Sequence, residues 1–139
     1  CFVFGEAAAR HITAHWNELP EPPPIRPWDE SRVTDSDEEV IVKHNWSEIR
    51  RFMWDYVGIV RSSQRLQRAQ HRVQLLRSEV EEYYGNFRVT PDLVELRNLV
   101  EIAGLIVQSA LKRKESRGLH YTLDYPRMLS KAEDTILTP

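Results

Sequence analysis

Residues Thr90 to Ala110 read TPDLVELRNLVEIAGLIVQSA, and this stretch decides the fold. A hydroxyl at Thr90, a proline at the first helical position and an acid at Asp92 are the three signals of a helix N-terminus: a side-chain cap for free amides, a residue with no amide to satisfy, and a charge suited to the positive end of the dipole. Beyond them Leu93, Leu96, Val100, Ala103, Val107 and Ala110 recur at helical spacing and mark a buried seam. Working backwards, Leu66, Ala69, Val73, Leu76 and Val80 form a second stripe that should stop near Gly85 and Asn86. A third stripe runs through Trp46, Ile49, Met53, Tyr56 and Val60, with Asn45 as its expected N-cap and Gly58 and the Ser62, Ser63 pair ending it. Three amphipathic helices on short turns bury their stripes against one another, so the expected fold is all-α, an antiparallel three-helix bundle over 44–117.

The composition permits one such core and little else. The chain has 139 residues, 41% hydrophobic and 29% charged, and a net charge of −2 with neutral histidines, so nothing in the balance points to nucleic acid or to an anionic membrane. Its single cysteine excludes an internal disulfide and a multi-cysteine zinc site, and fits a reducing, cytoplasmic setting. No apolar run reaches the length of a membrane span.

Around the bundle lie attachments. Residues 1–18 open CFVFGEAAARHI, which reads as a helix beginning inside an apolar element, with a small Ala7, Ala8, Ala9 run suited to close packing on a neighbour; we expect a remnant of a larger upstream domain. Residues 19–43 form a linker. Leu19 to Pro27, LPEPPPIRP, holds five of the eight prolines, and Trp28 to Glu39 holds six acids against Arg32 alone, the pattern of a solvated excursion. After the last helix, the cations Lys112, Arg113 and Lys114 suit the negative end of a dipole, Gly118 offers a left-handed stop, and 118–139 is expected to run as an extended arm that docks on something.

Candidate chemistry is sparse. His11 and His15 share a helix face at metal-ligand spacing but lack the intervening glutamate of a metalloprotease helix. Arg61, Arg65, Arg68 and Arg72 fall on one helical stripe with no acid between Arg61 and Arg77, fit for an anionic partner or, more plainly, for a solvated or interdomain face. Trp46, Phe52, Trp54 and Tyr56 suit a core better than a stacking platform. Glu115, Ser116 and His120 supply an acid, a hydroxyl and a base, yet no nucleophile elbow accompanies them, and no Gly-rich turn can cradle a dinucleotide.

Taken together, PWDESRV (27–33), HNW (44–46), RRFMWDYVGIVR (50–61), EEYYGNFRV (81–89) and ELRNLVEIAGLIV with KESRGLHYTLDYP after it resemble, in order and spacing, the C-terminal region of the bacterial L-aspartate oxidases, in the succinate dehydrogenase and fumarate reductase flavoprotein family. The ESRG-x-H segment belongs to the wider family; PWDESRV and FMWDYVGIVR favour the oxidases. The resemblance implies an FAD enzyme converting L-aspartate to iminoaspartate, with oxygen or fumarate as acceptor, in the quinolinate route to NAD. It places the flavin and the catalytic groups in upstream FAD-binding and capping domains, so no catalytic, cofactor or metal residue is carried onto this chain, which alone is expected to bind no FAD and to be inactive. Arg117, Gly118 and His120 match the motif, and Arg61, Arg65, Glu115, Ser116, Arg117, His120, Asp124 and Tyr125 are the expected interdomain docking residues. The rival expectations are the tail of a succinate dehydrogenase or fumarate reductase flavoprotein and a free-standing helical adaptor for an anionic partner.

Overall fold

The computed structural model describes residues 2–27, 29, 31, 33, 34 and 39–138. Helices dominate: α1 (Phe2–His15) with a 3-10 turn at Trp16–Glu18, α2 (Glu39–Val57), α3 (Ser63–Asn86) and α4 (Pro91–Lys112), with two short strands, β1 (Val60–Arg61) and β2 (Tyr121–Thr122). The turns between α2, α3 and α4 are short, so the three helices run antiparallel and all pack on one another. The acidic excursion expected at Trp28 to Glu39 lies mostly outside the described residues; Thr34 is within them and bridges to Phe87, taking the Arg88 amide on its carbonyl at 2.9 Å.

Local chemistry accounts for the helix ends. Ser62 takes the Arg65 amide on its hydroxyl at 3.3 Å, and Thr90 does the same for Leu93 at 3.3 Å, so both α3 and α4 begin on a side-chain cap. The seams expected for these two helices are the buried ones, with Gly104 added on α4. Among the described residues fifteen buried apolar residues form one continuous core, whose larger side chains contribute about 1.5–3 kcal/mol each.

The first bundle helix departs from expectation. It starts at Glu39, so Asn45 is an interior residue rather than an N-cap, and it is 4% exposed. Its amide donates to Glu79 Oε2 on α3 at 3.3 Å, which answers the burial of a polar group. With an extra turn and a half in front, the buried line is Val42, Asn45, Ile49, Phe52 and Val57, while Trp46, Met53 and Tyr56 are half-buried. Val60 has left the helix for β1. Treating Asn45 as a cap hid the turn that fixes which face points inward.

Helix α1 stands apart. None of its residues is buried, and Phe2, Val3 and Phe4 are 95, 77 and 82% exposed. It is held by its own contacts, a Glu6–Arg10 pair and a Thr13 hydroxyl donating to the Ala9 carbonyl. The His11 and His15 rings stack 4.4 Å apart, and His15 Nδ1 donates to the His11 carbonyl. Among the described residues no group of three or more His, Cys, Asp or Glu side chains is placed to hold a metal. Among them also no helix is long and apolar enough to cross a membrane.

Candidate functional site

The segment after α4 turns back on the bundle and is clasped there by polar groups. Helix α4 ends as Arg113 adopts an extended conformation, its amide donating to the Ser109 carbonyl at 3.1 Å. Gly118 is therefore not the helix stop. Its positive φ of 59° serves a tight turn between Arg117 and His120, whose amides and carbonyls bond reciprocally at 2.9 and 3.2 Å. A glycine with positive φ followed by Leu119 without one is the pattern of a type II′ turn, which needs Gly in that first central place.

Just before the turn sits Glu115, a carboxylate only 1% exposed. Arg113 Nη1 donates to its Oε1 at 2.6 Å, while Arg117 Nε and the Leu129 amide both donate to its Oε2 at 3.0 Å. The Leu129 amide foremost, and then Arg117, hold its pKa below the usual 4.5 against the opposing effect of desolvation. Arg113 reaches further, from Nε to Thr135 Oγ1 at 2.9 Å and from Nη2 to the Glu133 carbonyl at 2.8 Å. It thus ties down the arm rather than only facing the helix dipole, as does Lys112, whose Nζ donates to the Ile136 carbonyl at 2.5 Å. Lys114 lies over the Tyr125 ring at 5.1 Å.

Ser116 is also buried, and its hydroxyl is fully used by backbone: it donates to the Tyr125 carbonyl at 2.8 Å and accepts from the Thr122 amide at 3.0 Å. His120 accepts on Nδ1 from Arg61 Nη1 at 2.8 Å and directs Nε2 to the Arg113 carbonyl at 3.3 Å, the arrangement of a neutral ring with its proton on Nε2. Burial first, and then the Arg61 and Arg113 charges, keep its pKa below 6.5. Glu115, Ser116 and His120 are therefore not linked into an acid, nucleophile and base set, since each has other partners.

Arg61 joins the arm to the bundle. Its Nε donates to the Gly58 carbonyl at 2.8 Å and its Nη2 to Val57 at 3.2 Å, closing the C-terminal end of α2, while its own carbonyl accepts the Leu123 amide at 2.9 Å beside the parallel β1–β2 pairing. Asp124 Oδ2 accepts the Ser63 amide at 2.5 Å at the first turn of α3; that amide lowers its pKa, and its charge suits the dipole there. Arg65 is not in this cluster. The arginine stripe is split: Arg61 precedes α3 and turns to α2, Arg72 pairs with Glu48 of α2 at 3.5 Å, and Arg65 and Arg68 are exposed. The break follows from β1, which removes Arg61 from the helical repeat.

Sequence reasoning missed Arg113, buried Thr122, Ser63 and the Leu129 amide as members of the clasp. One signal was present for the first: Arg113, Glu115 and Arg117 alternate, and in an extended segment residues two apart share a face. Beside the clasp an open cleft of about 340 Å³ is lined by Arg61, Arg113 and His120 and by the α4 residues Ile102, Leu105 and Ile106.

Comparison with known proteins matches this sequence to one family. The whole chain is 60% identical to an L-aspartate oxidase of Pseudomonas aeruginosa and 62% identical to L-aspartate oxidase 1 of Ralstonia nicotianae, in each case spanning 26% of the relative's length at its C-terminal region. A chloroplastic L-aspartate oxidase 2-a of Nicotiana tabacum is 47% identical over 98 residues, 66% of this chain and 15% of its own. The fumarate reductase flavoprotein C-terminal family matches residues 46–135, which takes in α3, α4, the clasp and the part of α2's buried face from Ile49 on, and the chain belongs to that family.

Proposed function

We propose that this chain is the C-terminal helical domain of a cytoplasmic FAD-dependent L-aspartate oxidase, which converts L-aspartate to iminoaspartate for quinolinate and NAD synthesis. The observation that carries the proposal is identity of 60 and 62% along the entire chain to proteins named as L-aspartate oxidases. Its role there is structural: the clasp holds the arm on the bundle so that Leu119, Tyr121, Leu123, Tyr125 and Met128 present an apolar outer face toward the FAD-binding and capping domains. Arg61, Glu115, Ser116, Arg117, His120 and Asp124 set the shape of that face from behind; Arg65 is its outlying charge.

The chain's own residues do not fit a flavin dinucleotide. The Arg61 and Arg113 guanidiniums beside the cleft are already bonded to carbonyls, to Glu115, to Thr135 and to His120. Among the described residues the only positive φ is at Gly118, in a two-residue turn rather than in a loop of successive amides that could wrap a pyrophosphate. FAD therefore belongs to the remainder of the enzyme, and no chemical step is assigned to this chain.

The test is reconstitution. A flavin-loaded polypeptide lacking these residues is assayed for L-aspartate oxidation with and without the 139-residue chain, and turnover is expected only with it. A full-length protein that oxidises succinate and leaves aspartate untouched would establish the succinate dehydrogenase reading instead.

A further inference from the structure

Helix α4 is apolar over more of its circumference than the bundle covers. Its seam is buried against α2 and α3, but a second line, Leu99, Ile102 and Ile106, adjoins that seam on the α2 side, with Leu105 beyond it. Ile102, Leu105 and Ile106 are 55, 47 and 42% exposed. A groove of about 190 Å³ runs between this line and Met53 of α2, and it shares Ile102 and Ile106 with the cleft beside Arg61 and His120. The outward side of α3, built from glutamines, arginines and glutamates with Leu75 as its exposed aliphatic residue, shows what a solvent-facing helix of this bundle looks like. By that standard α4 faces something apolar.

The geometry points to the Ile102, Leu105 and Ile106 face, together with the groove beside Met53, as the surface on which the flavin-binding part of the same polypeptide seats a row of aliphatic side chains. This rests on the reading of the preceding subsection and gives it a second contact besides the arm. Two observations favour that occupant. The relatives extend the chain almost fourfold, so most of such a protein lies outside these residues. The face is continuous with the clasp through the cleft, so one body can cover both. A second copy is less well matched, because it would have to reach this face from free solution, whereas a domain tethered through the proline-rich 19–27 segment acts at high effective concentration.

The experiment uses the full-length holoenzyme carrying Ile102→Glu with Ile106→Glu, and Leu75→Glu as a matched control on α3. Flavin release on heating, thermolysin cleavage within 19–27, and native mass are measured. The α4 pair is expected to lower the flavin-release temperature by about 5 °C or more and to speed linker cleavage, while Leu75→Glu does neither. Equal behaviour of the two variants overturns the inference, and so does a halved native mass with flavin release unmoved, which would assign the face to a second copy. If the double variant is insoluble, Ile106→Ser is read in the same way. A wild-type protein that binds no flavin instead defeats the underlying functional reading, and that is seen before any variant is made.

Discussion

The bundle and the arm are folded by opposite means. Among the described residues the buried side chains within α2, α3 and α4 are aliphatic or aromatic, with Asn45 the single polar exception; beyond Lys112 the buried ones are Glu115, Ser116 and Thr122, all polar. The first region is held by exclusion of water from shape-matched surfaces, the second by hydrogen bonds that leave no buried side-chain polar atom of the described residues without a partner. Apolar burial is non-directional and forgives small shifts. A clasp of charged and backbone groups has value only when complete, since one missing partner strands the others.

The largest effect is expected from striking the bundle. Leu96 is 1% exposed in the seam of α4, and Leu96→Ala should cost about 2–5 kcal/mol, read as a loss of cooperative unfolding free energy in urea with the arm's protection lost alongside. Glu115→Gln comes next and separates the regions. It leaves Arg113 and Arg117 without their counter-charge and weakens the acceptor of the Leu129 amide. In hydrogen exchange the peptides over 121–129 should lose protection while α3 and α4 keep theirs; simultaneous loss in both would show that the arm is part of the bundle's cooperative unit. Gly118→Ala is a milder blow to the arm alone. No atom lies within 4 Å of the added methyl, so the expected loss of about 1–2 kcal/mol reflects the φ of 59° and falls on the Arg117–His120 turn.

The same contrast decides what could be read from the sequence. Helices α3 and α4 were legible because periodicity is local: Leu66 to Val80 and Leu93 to Ala110 announce a buried face without reference to a partner. Asn45 was misread because a buried polar residue and a cap look alike until Glu79 of another helix is in view. The clasp residues drew notice as unusual, but Arg61 with His120 and Ser63 with Asp124 are pairs some sixty residues apart, and no spacing rule encodes them. The end of α4 and the place of Gly118 were missed for the same reason, since Arg113 leaves the helix to reach groups 20 and 22 residues on.

Acidity sharpens the comparison, because the clasp titrates and the seam does not. A base whose pKa is lower folded than unfolded binds fewer protons in the folded state, so the stability it gives is whole above pH 6.5 and is lost as pH falls through the folded value. Glu115, with a lowered carboxylate pKa, adds the same sign of effect below pH 4.5. Protection of the Leu123 amide should thus fade as pH falls below 6.5 while the α4 seam holds. His120→Gln, able to accept from Arg61 and donate to the Arg113 carbonyl without titrating, should remove that upper limb. An unchanged profile in this variant would assign the limb to another group.

The smallest expected effect lies back in the bundle and runs in the opposite direction. Gly104 is buried mid-helix in α4, where glycine costs roughly 1 kcal/mol relative to alanine through the freedom it gives the unfolded chain. Its close approach to α3 looks like a reason for the glycine, but an added Cβ would meet Val73 Cγ1 at 3.5 Å, ordinary van der Waals contact rather than a clash. Gly104→Ala should therefore raise the unfolding free energy by a few tenths of a kcal/mol to about 1 kcal/mol. It should leave arm exchange untouched, because the gain sits in the apolar seam and no clasp partner moves. A loss of stability here would mean that α3 and α4 cannot yield even a few tenths of an ångström, and that the seam is as exacting in its geometry as the clasp.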